Sequence, residues 1–313
     1  MWILKADDNK VKAYKALLYQ YNTGLKFDPS TKLKKNVKNQ CAAYFFLTED
    51  KVNEFLTANP ERLLVLHGEL EAHIINDEDR RFIKRLFNYD RFIKQNKKMS
   101  YALAHLMDIN TCTYCNRQYT LTVDKVDENE TVVDHLIRPE FDHWFSQKDY
   151  PDLALSYYNL IPACHICNSN LKRDKETKLD KHIHPYIDKR VGFKFSYVPI
   201  SDGYAVVIER EDGVDENYFK KVENTLDLFK IPQIYGAHSR LELKELVELA
   251  TTNHPDYIST LVNEVMAKLG VREEDAYRML FGIETTEENY LKRPMSKFKN
   301  DIIREIRKDL GKR

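Results

Sequence analysis

The sequence lacks any long apolar run. No stretch approaches the roughly 20 apolar residues that a helix needs to span a bilayer. The first five residues, Met1–Lys5, have neither the apolar core nor the cleavage site of a signal peptide. No internal repeat or low-complexity linker divides the chain. The first two absences predict a cytoplasmic protein without a membrane partner. Because no linker or repeat marks them, the domain boundaries given below are approximate.

The sequence also lacks an excess of charge of either sign. Its 313 residues include 49 basic and 49 acidic side chains, so the formal net charge is zero. A strongly basic chain would point to a nucleic-acid partner, and this chain gives no such global signal. Any contact with nucleic acid must therefore use a local basic patch. With 42% hydrophobic and 31% charged residues, the composition indicates a folded chain rather than a disordered one.

The pattern of apolar residues predicts helices on both sides of a central unit. Apolar residues recur at helical spacing early in the chain, as at Val11, Tyr14 and Leu18. A second helix is predicted over residues 32–47. The predicted starts of further helices are Pro60, which follows Asn59, then Asn76 or Asp77, and Ser100.

The fold class that follows is α+β, mainly helical. Residues 1–108 form the predicted N-terminal helical region, and residues 109–186 form the central, metal-rich unit. Residues 187–313 begin with a β-hairpin, because Asp202 and Gly203 separate two runs of alternating apolar residues. The remainder of that region is again predicted to be helical.

Cysteines are few, and four of the five fall in two pairs. Cys112 and Cys115 form one Cys-x-x-Cys pair, and Cys164 and Cys167 form another, 48 residues further on. Two such pairs complete a tetrahedral four-sulfur site, which suits a structural zinc ion with no position open for substrate. A redox role usually needs one pair rather than two, and an iron–sulfur cluster also accepts four thiolates. Cys41 lies in an apolar patch and is given no role.

Between the two cysteine pairs lie side chains suited to phosphodiester hydrolysis. That reaction needs an activated water, charge neutralisation at the phosphate and help for the leaving oxygen. His143 can take a proton from water, and the neighbouring Asp142 can share a Mg²⁺ ion with an amide oxygen. Adjacent residues of a strand face opposite ways, so both reach one site only at a strand end or bend. Asn168 follows the second pair, where a helix should begin, and points away from the zinc face by about 100° of helical rotation.

Together these residues resemble the HNH (ββα-metal) endonuclease motif in its cysteine-bracketed form. The resemblance covers residues 112–172 and includes Asp142-His143, Asn159-Leu160-Ile161-Pro162 and Asn168 after the second pair. It implies that His143 is the general base and that Asp142 and Asn168 bind a catalytic Mg²⁺ or Mn²⁺. It also implies that Asn159 fixes the loop and the orientation of the histidine. The third family position is often histidine, and the asparagine found here keeps an oxygen ligand.

A narrower resemblance extends beyond this motif. The segments Arg138–His143, Tyr150–Asn168, His184–Tyr186 and Lys292–Phe298 are similar to the HNH subunit of Septu-type and retron-associated anti-phage systems. Those proteins act with an ABC-type ATPase. The resemblance implies such a partner, and it implies that the helical flanks serve as docking surfaces.

Several basic residues are candidates for contacts with nucleic acid. Lys172 has the strongest claim through its position in the motif, and Arg138 and Arg173 flank the same segment. The basic strip 84–98 precedes the first cysteine pair, but a solvated helix face explains it more simply.

A second Asp-His pair competes with the first. Asp134 and His135 form this pair, and His135 precedes Asn159 by 24 residues, against 16 for His143. The resemblance favours the later pair, and a surface or strand histidine is the simpler explanation of His135. His184 is a further histidine near the motif, for which packing explains its position equally well.

The sequence therefore predicts a metal-dependent HNH endonuclease, with DNA placed ahead of RNA or tRNA as substrate. The alternative is a zinc module that binds nucleic acid without cutting it. In that case Asp142, His143 and Asn168 are incidental polar residues. Cleavage in the presence of Mg²⁺, with and without a chelator, separates the two hypotheses. A third possibility is an enzyme that is inactive alone and needs a partner, which co-purification with an ATPase would identify.

Overall fold

The protein is a helix-rich α+β chain with three small antiparallel hairpins. The computed structural model describes residues 2–5, 7–22, 44–45, 50–252 and 260–310. The described α-helices are α1 (Asp8–Tyr21), α2 (Asp50–Thr57), α3 (Pro60–Glu71), α4 (Asp77–Leu86), α5 (Lys97–Met107), α6 (Glu216–Leu228), α7 (Ile231–Gly236), α8 (Lys244–Thr252), α9 (Glu273–Phe281) and α10 (Ser296–Leu310). The strands are β1 (Val123–Val126), β2 (Val132–Ile137), β3 (Glu140–His143), β4 (Leu160–Ala163), β5 (Phe193–Ile200) and β6 (Gly203–Arg210). Short π-helical segments cover Asp90–Lys94, Ile166–Lys172, Ser239–Leu243 and Leu261–Met266.

Two of the three predicted helix starts are confirmed. The Asn59 side chain accepts a hydrogen bond from the Arg62 amide, and Pro60 is the first residue of α3. Asn76 caps α4 with a reciprocal capping box. The prediction for Ser100 is wrong, because Asn96 caps α5 and Ser100 lies buried inside that helix. Of the predicted helix over 32–47 only residues 44–45 are described, and Cys41 lies outside the described residues.

The hairpins differ in how much of their surface is covered. In the first, β1 pairs with β2, and most of its residues are exposed. In the second, β3 pairs with β4, all four residues of which are buried. The third is the hairpin predicted around Asp202-Gly203, in which β5 pairs with β6 from Phe193–Arg210 to Ile200–Gly203.

The segment around the first cysteine pair is a meeting point of distant parts of the chain. The Trp2 amide donates to the Thr113 carbonyl at 2.9 Å. From the C-terminal half, the Tyr235 hydroxyl donates to the Cys115 carbonyl at 2.7 Å. The Met295 amide donates to the Asn116 carbonyl at 2.6 Å. Contacts therefore cross both of the predicted domain edges and end on the same short turn.

Membrane crossing requires a long helix that is apolar over most of its length. Among the described residues no helix combines the necessary length with that apolar character.

Candidate metal centre and catalytic pocket

The four paired cysteines form one buried cluster. Cys112, Cys115, Cys164 and Cys167 are all buried, and their sulfur atoms lie within 4.8 Å of one another. Zn–S bonds of about 2.3 Å place the corners of a zinc tetrahedron about 3.8 Å apart, which this spacing accommodates. Burial raises the pKa of the Cys112 thiol, so a thiolate there needs a positive charge close by. The donor set fits a structural zinc ion.

The turn after Cys115 explains how the first pair is shaped. Asn116 has a φ of 49°, in the left-handed region that few residue types adopt. Its side-chain nitrogen donates to the carbonyls of Tyr290 and Arg293 at 2.8 and 3.1 Å. The reversed turn directs the Arg117 amide to the Cys115 sulfur at 3.4 Å. Amide donation of this kind stabilises a thiolate, which is the form that binds metal.

The second cysteine pair lies beside the segment that also carries Asn168. Cys164 follows β4 directly, and Cys167 lies in the segment Ile166–Lys172. An α-helix is expected here, but the segment is π-helical, with the Arg173 amide donating to the Asn168 carbonyl at 2.9 Å. Cys167 is fully buried, whereas the next residue, Asn168, is half-buried and lines a cavity. One short segment thus supplies both a cysteine ligand and a cavity side chain.

His143 is the last residue of β3. A strand end is one of the two positions at which it and Asp142 can reach the same site. Its Nε2 lies 2.9 Å from the Ala154 carbonyl oxygen. A carbonyl only accepts hydrogen bonds, so Nε2 carries the proton and Nδ1 has a free lone pair. Burial lowers the pKa of His143 and outweighs the opposing effects of the Ala154 carbonyl and Asp142. The imidazole is therefore neutral at pH 7, with one nitrogen able to accept a proton.

Asn159 fixes the loop that carries the Ala154 carbonyl. It is fully buried, and its Oδ1 accepts the Phe145 amide at 2.6 Å. Its Nδ2 donates to the Phe145 and Leu153 carbonyls at 3.2 and 2.9 Å. These bonds join the end of β3 to the residue next to Ala154. The structure therefore brings Asn159 behind His143 rather than into the cavity.

The N-terminal helical region holds the same loop from outside. The Tyr14 hydroxyl of α1 donates to the Leu155 carbonyl at 2.6 Å. The Ser156 hydroxyl donates to the Phe55 carbonyl of α2 at 2.5 Å. In α3, His67 lies 3.0 Å from the Asp152 carboxylate. Sequence reasoning assigned no role to these helices in positioning the histidine, because every bond spans 85 residues or more.

Asp142 lies beside the imidazole but is deeply buried. Its Oδ2 accepts a short hydrogen bond from the Tyr114 hydroxyl, and its Oδ1 lies 3.1 Å from the Lys172 ammonium. Lys172 is only 1% exposed and also donates to the His143 carbonyl at 2.5 Å. Its position therefore differs from the expected phosphate contact, since its charge is used within the protein.

Glu140 is the residue that sequence reasoning missed. Its carboxylate accepts hydrogen bonds from Asn168 Nδ2 at 2.8 Å and from the Ser169 hydroxyl at 3.0 Å. His165 Nδ1 lies 2.7 Å from the other oxygen. Burial alone would raise the pKa of this carboxyl, but the three hydrogen bonds outweigh burial and lower it. The available signal was its spacing, because residues i and i+2 of a strand share a face and Glu140 precedes Asp142 by two.

These side chains border a cavity of about 840 Å³. One wall comes from α4 and the segment after it, where Tyr89 packs edge-on against His143 with the ring centres 4.5 Å apart. The strip 84–98 contributes Lys84, Phe87 and Lys94 to this wall, whereas its Phe92 belongs to the core. The basic residues that line the cavity are Lys84, Lys94, Arg138, Lys148 and Arg173, and the acidic ones are Asp90, Glu140, Asp142 and Asp174.

The rival Asp-His pair lies elsewhere, and neither member borders the cavity. Asp134 is exposed and lies 3.7 Å from the Lys97 ammonium. His135 stacks on Tyr101 at 4.3 Å and bonds to Asp124 at 2.6 Å. These contacts fit the structural interpretation of His135.

His184 also packs rather than reacts. It is fully buried, and its ring centre lies 4.5 Å from that of Trp144.

The geometry thus brings His143, Asp142 and Asn168 to one cavity, with Arg138 and Arg173 on its wall. It places Asn159 and Lys172 behind that surface. None of the four cysteines lines this cavity, although Cys167 directly precedes Asn168. Comparison with family models, curated proteins and solved structures gives no match to this chain.

Proposed function

We propose that this protein is a metal-dependent endonuclease of the HNH type, in which His143 activates a water molecule. The observation that carries the proposal is the imidazole itself. Its Nε2 is fixed by the Ala154 carbonyl, its Nδ1 receives no hydrogen bond from the described residues, and it borders the cavity. A neutral histidine held in one tautomer is what a general base requires.

The side chains around the imidazole suit a Mg²⁺ or Mn²⁺ ion. A carboxylate has about four lone-pair positions, and Asp142 uses two of them for Tyr114 and Lys172. Asn168 donates through Nδ2, so its Oδ1 is available as a ligand. Asp142 and Asn168 would hold the ion, which when bound neutralises charge on the phosphate and the leaving oxygen. Glu140 holds the amide of Asn168 in the orientation that leaves Oδ1 free.

The charge on the cavity wall suits a polyanion. Five basic side chains line the cavity against four acidic ones, and Asp142 is already neutralised by Lys172. In a chain of zero net charge this local excess is the kind of patch that a phosphate backbone needs. Arg138 and Arg173 are the residues proposed to contact the flanking phosphates. Lys172 is proposed instead to fix Asp142 and the end of β3.

The role in anti-phage defence and the ABC-type ATPase partner stay predictions of the sequence resemblance. Those two predictions describe where and when the proposed nuclease would act. The residues of the cavity support only the proposed reaction, hydrolysis of a phosphodiester bond.

The proposal is tested with the zinc-loaded full chain. DNA, RNA and the small diester bis(p-nitrophenyl) phosphate are each incubated with Mg²⁺ or Mn²⁺, with and without a chelator. The expected result is cleavage that needs the added ion and that the control variant His105→Ala retains, because His105 is exposed and does not line the cavity. Binding of DNA or RNA without cleavage of any of the three substrates would favour the non-catalytic zinc module.

A further inference from the structure

Tyr89 has a hydroxyl group that the protein leaves available. Its side chain is only 7% exposed, and the hydroxyl makes no hydrogen bond with the described residues. The fully buried tyrosines are different, because the hydroxyls of Tyr14, Tyr114 and Tyr235 each donate to an oxygen atom of the protein. A buried phenol usually has such an acceptor. Since Tyr89 lines the cavity, its acceptor is water or a group of the ligand that enters the cavity.

The surroundings of this hydroxyl locate it among the proposed catalytic groups. Four charged side chains act on the phenol, those of Arg138, Asp90, Glu140 and Asp142. All four of them line the same cavity. The Tyr89 ring is edge-on to the His143 imidazole, with the ring centres 4.5 Å apart and the planes at 81°. The N-terminal helical region therefore places a hydroxyl beside the group that would activate water.

Tyr89 keeps its proton at neutral pH. Burial raises the pKa of its hydroxyl, and the charge of Arg138 offsets only part of this effect. The group is therefore a neutral phenol, which donates a hydrogen bond and does not act as a general base. An anionic acceptor suits it best, because hydrogen bonds to charged oxygens are about twice as strong as those between neutral groups. In a phosphodiester the anionic acceptors are the two non-bridging oxygens of the phosphate.

We propose that Tyr89 contacts the substrate and donates a hydrogen bond to a non-bridging oxygen of the scissile phosphate. This role rests on the proposed nuclease function and adds to it a contact from outside residues 112–172. Arg138 and Arg173 are proposed to contact the flanking phosphates, so the scissile phosphate otherwise has only the metal ion to neutralise it. As water attacks, negative charge grows on the non-bridging oxygens and the hydrogen bond strengthens. Removal of the hydroxyl should therefore lower kcat more than it raises KM.

Tyr89→Phe tests this role, because phenylalanine keeps the ring that packs against His143 and removes only the hydroxyl. The full zinc-loaded chain is assayed with Mg²⁺ on a nucleic acid that the wild type cleaves. We expect kcat to fall about 10²–10³-fold, as it does on loss of one donor to a developing charge. Tyr119→Phe is the matched control, because Tyr119 is exposed and does not line the cavity. A ring that only packs against His143 predicts equal rates for the two variants, and that result overturns the proposal.

Substrates with sulfur in place of one non-bridging oxygen test which atom receives the hydrogen bond. Sulfur is a weak acceptor, so the wild type should cleave one of the two phosphorothioate diastereomers more slowly than the oxygen substrate. In Tyr89→Phe that difference should disappear, because the donor is already absent. A difference of equal size in both proteins, or one that Mn²⁺ relieves, assigns the oxygen to the metal ion and overturns the proposal.

The two levels of the proposal fail in different ways. Wild-type cleavage that Tyr89→Phe retains in full overturns the role of Tyr89 and leaves that of His143 intact. A wild type that cleaves none of the substrates overturns the proposed nuclease function and the role of Tyr89 with it.

Discussion

The cysteine cluster and the proposed catalytic cavity share one short segment, yet they are built in opposite ways. In the cluster, all four sulfur atoms face one another and are shielded from water. In the cavity, His143 Nδ1 and Asn168 Oδ1 receive no hydrogen bond from the described residues. Cys167 belongs to the first site and Asn168 to the second, one residue apart.

The difference is the one expected between a site that stabilises the fold and a site that binds a substrate. A structural metal site is complete when the chain supplies every ligand, so its stability is folding stability. A catalytic site needs donor groups that are positioned but not used. Here the Ala154 carbonyl holds the His143 imidazole through Nε2, and Glu140 holds the Asn168 amide through Nδ2. The other polar atom of each side chain, Nδ1 or Oδ1, is the one proposed to act. Substitutions in the two sites should therefore fail in different ways.

The largest effect is expected from Cys164→Ser, which removes one sulfur of the candidate zinc site. Binding of structural zinc contributes about 10–16 kcal/mol in small zinc domains at pH 7, so loss of the ion should destabilise the whole fold. Zinc content and thermal unfolding measure the effect. Cys41→Ser is the matched control, because Cys41 belongs to neither pair. A Cys164→Ser protein with full heat stability would contradict the structural role of the cluster.

Asn159→Ala should cost both stability and activity. The substitution removes three buried hydrogen bonds and leaves the Phe145 amide and the Leu153 carbonyl unpaired. Each unpaired buried group costs about 1–3 kcal/mol, so we expect a loss of roughly 3 kcal/mol in the free energy of unfolding. Chemical denaturation measures it, with the exposed Asn170→Ala as control. Stability equal to that of Asn170→Ala would show that the loop does not depend on this side chain.

Glu140→Ala should weaken the catalytic ion while leaving the zinc in place. Loss of the carboxylate frees the amide of Asn168, and loss of such a supporting group typically lowers metal affinity about 10–100-fold. The readout is the Mg²⁺ concentration that gives half-maximal cleavage, together with zinc content. Glu140→Gln keeps an acceptor and should recover part of the affinity. An unchanged Mg²⁺ requirement in both variants would exclude the positioning role.

Acid should destabilise the fold through His184. Burial lowers the pKa of His184 to about 3. Its side chain is fully buried, whereas His143 borders the cavity. The unfolded chain binds a proton at about pH 6.5 that the folded chain refuses, so stability falls as pH drops below that value. From pH 7 to 5.5 the loss should be about 1 kcal/mol. His184→Asn keeps an acceptor for the Tyr186 amide. In denaturation experiments its free energy of unfolding should fall less between pH 7 and 5.5 than that of the wild type. An equal fall would assign the effect to other groups.

The sequence allowed the cysteine cluster to be predicted, because each Cys-x-x-Cys pair presents two thiols on one tight turn and two such pairs complete a four-sulfur site. It also predicted the hairpin around Asp202-Gly203, and it required a strand end or bend for Asp142 and His143 to reach one site. The Ala154 contact was out of reach because it depends on a loop held by α1, α2 and α3. No local pattern encodes bonds over such separations.

The burial of Lys172 was missed for a related reason. A lysine in a basic segment is usually exposed, and only the fold shows that Asp142 needs its charge. The role of Glu140 was likewise hidden, because Asn168 lies 28 residues away in sequence.

The most direct test of the central claim is the cleavage rate of His143→Ala beside that of the wild type. A general base contributes about 10²–10⁴-fold, so the rate should fall by that factor. The protein should still fold and its zinc content should stay unchanged, because the cysteine cluster is separate from the imidazole. In the wild type, the pH below which the rate declines should lie under 6.5, as the lowered pKa of His143 requires. A variant that cleaves at the parental rate would contradict the assignment of His143 as the base.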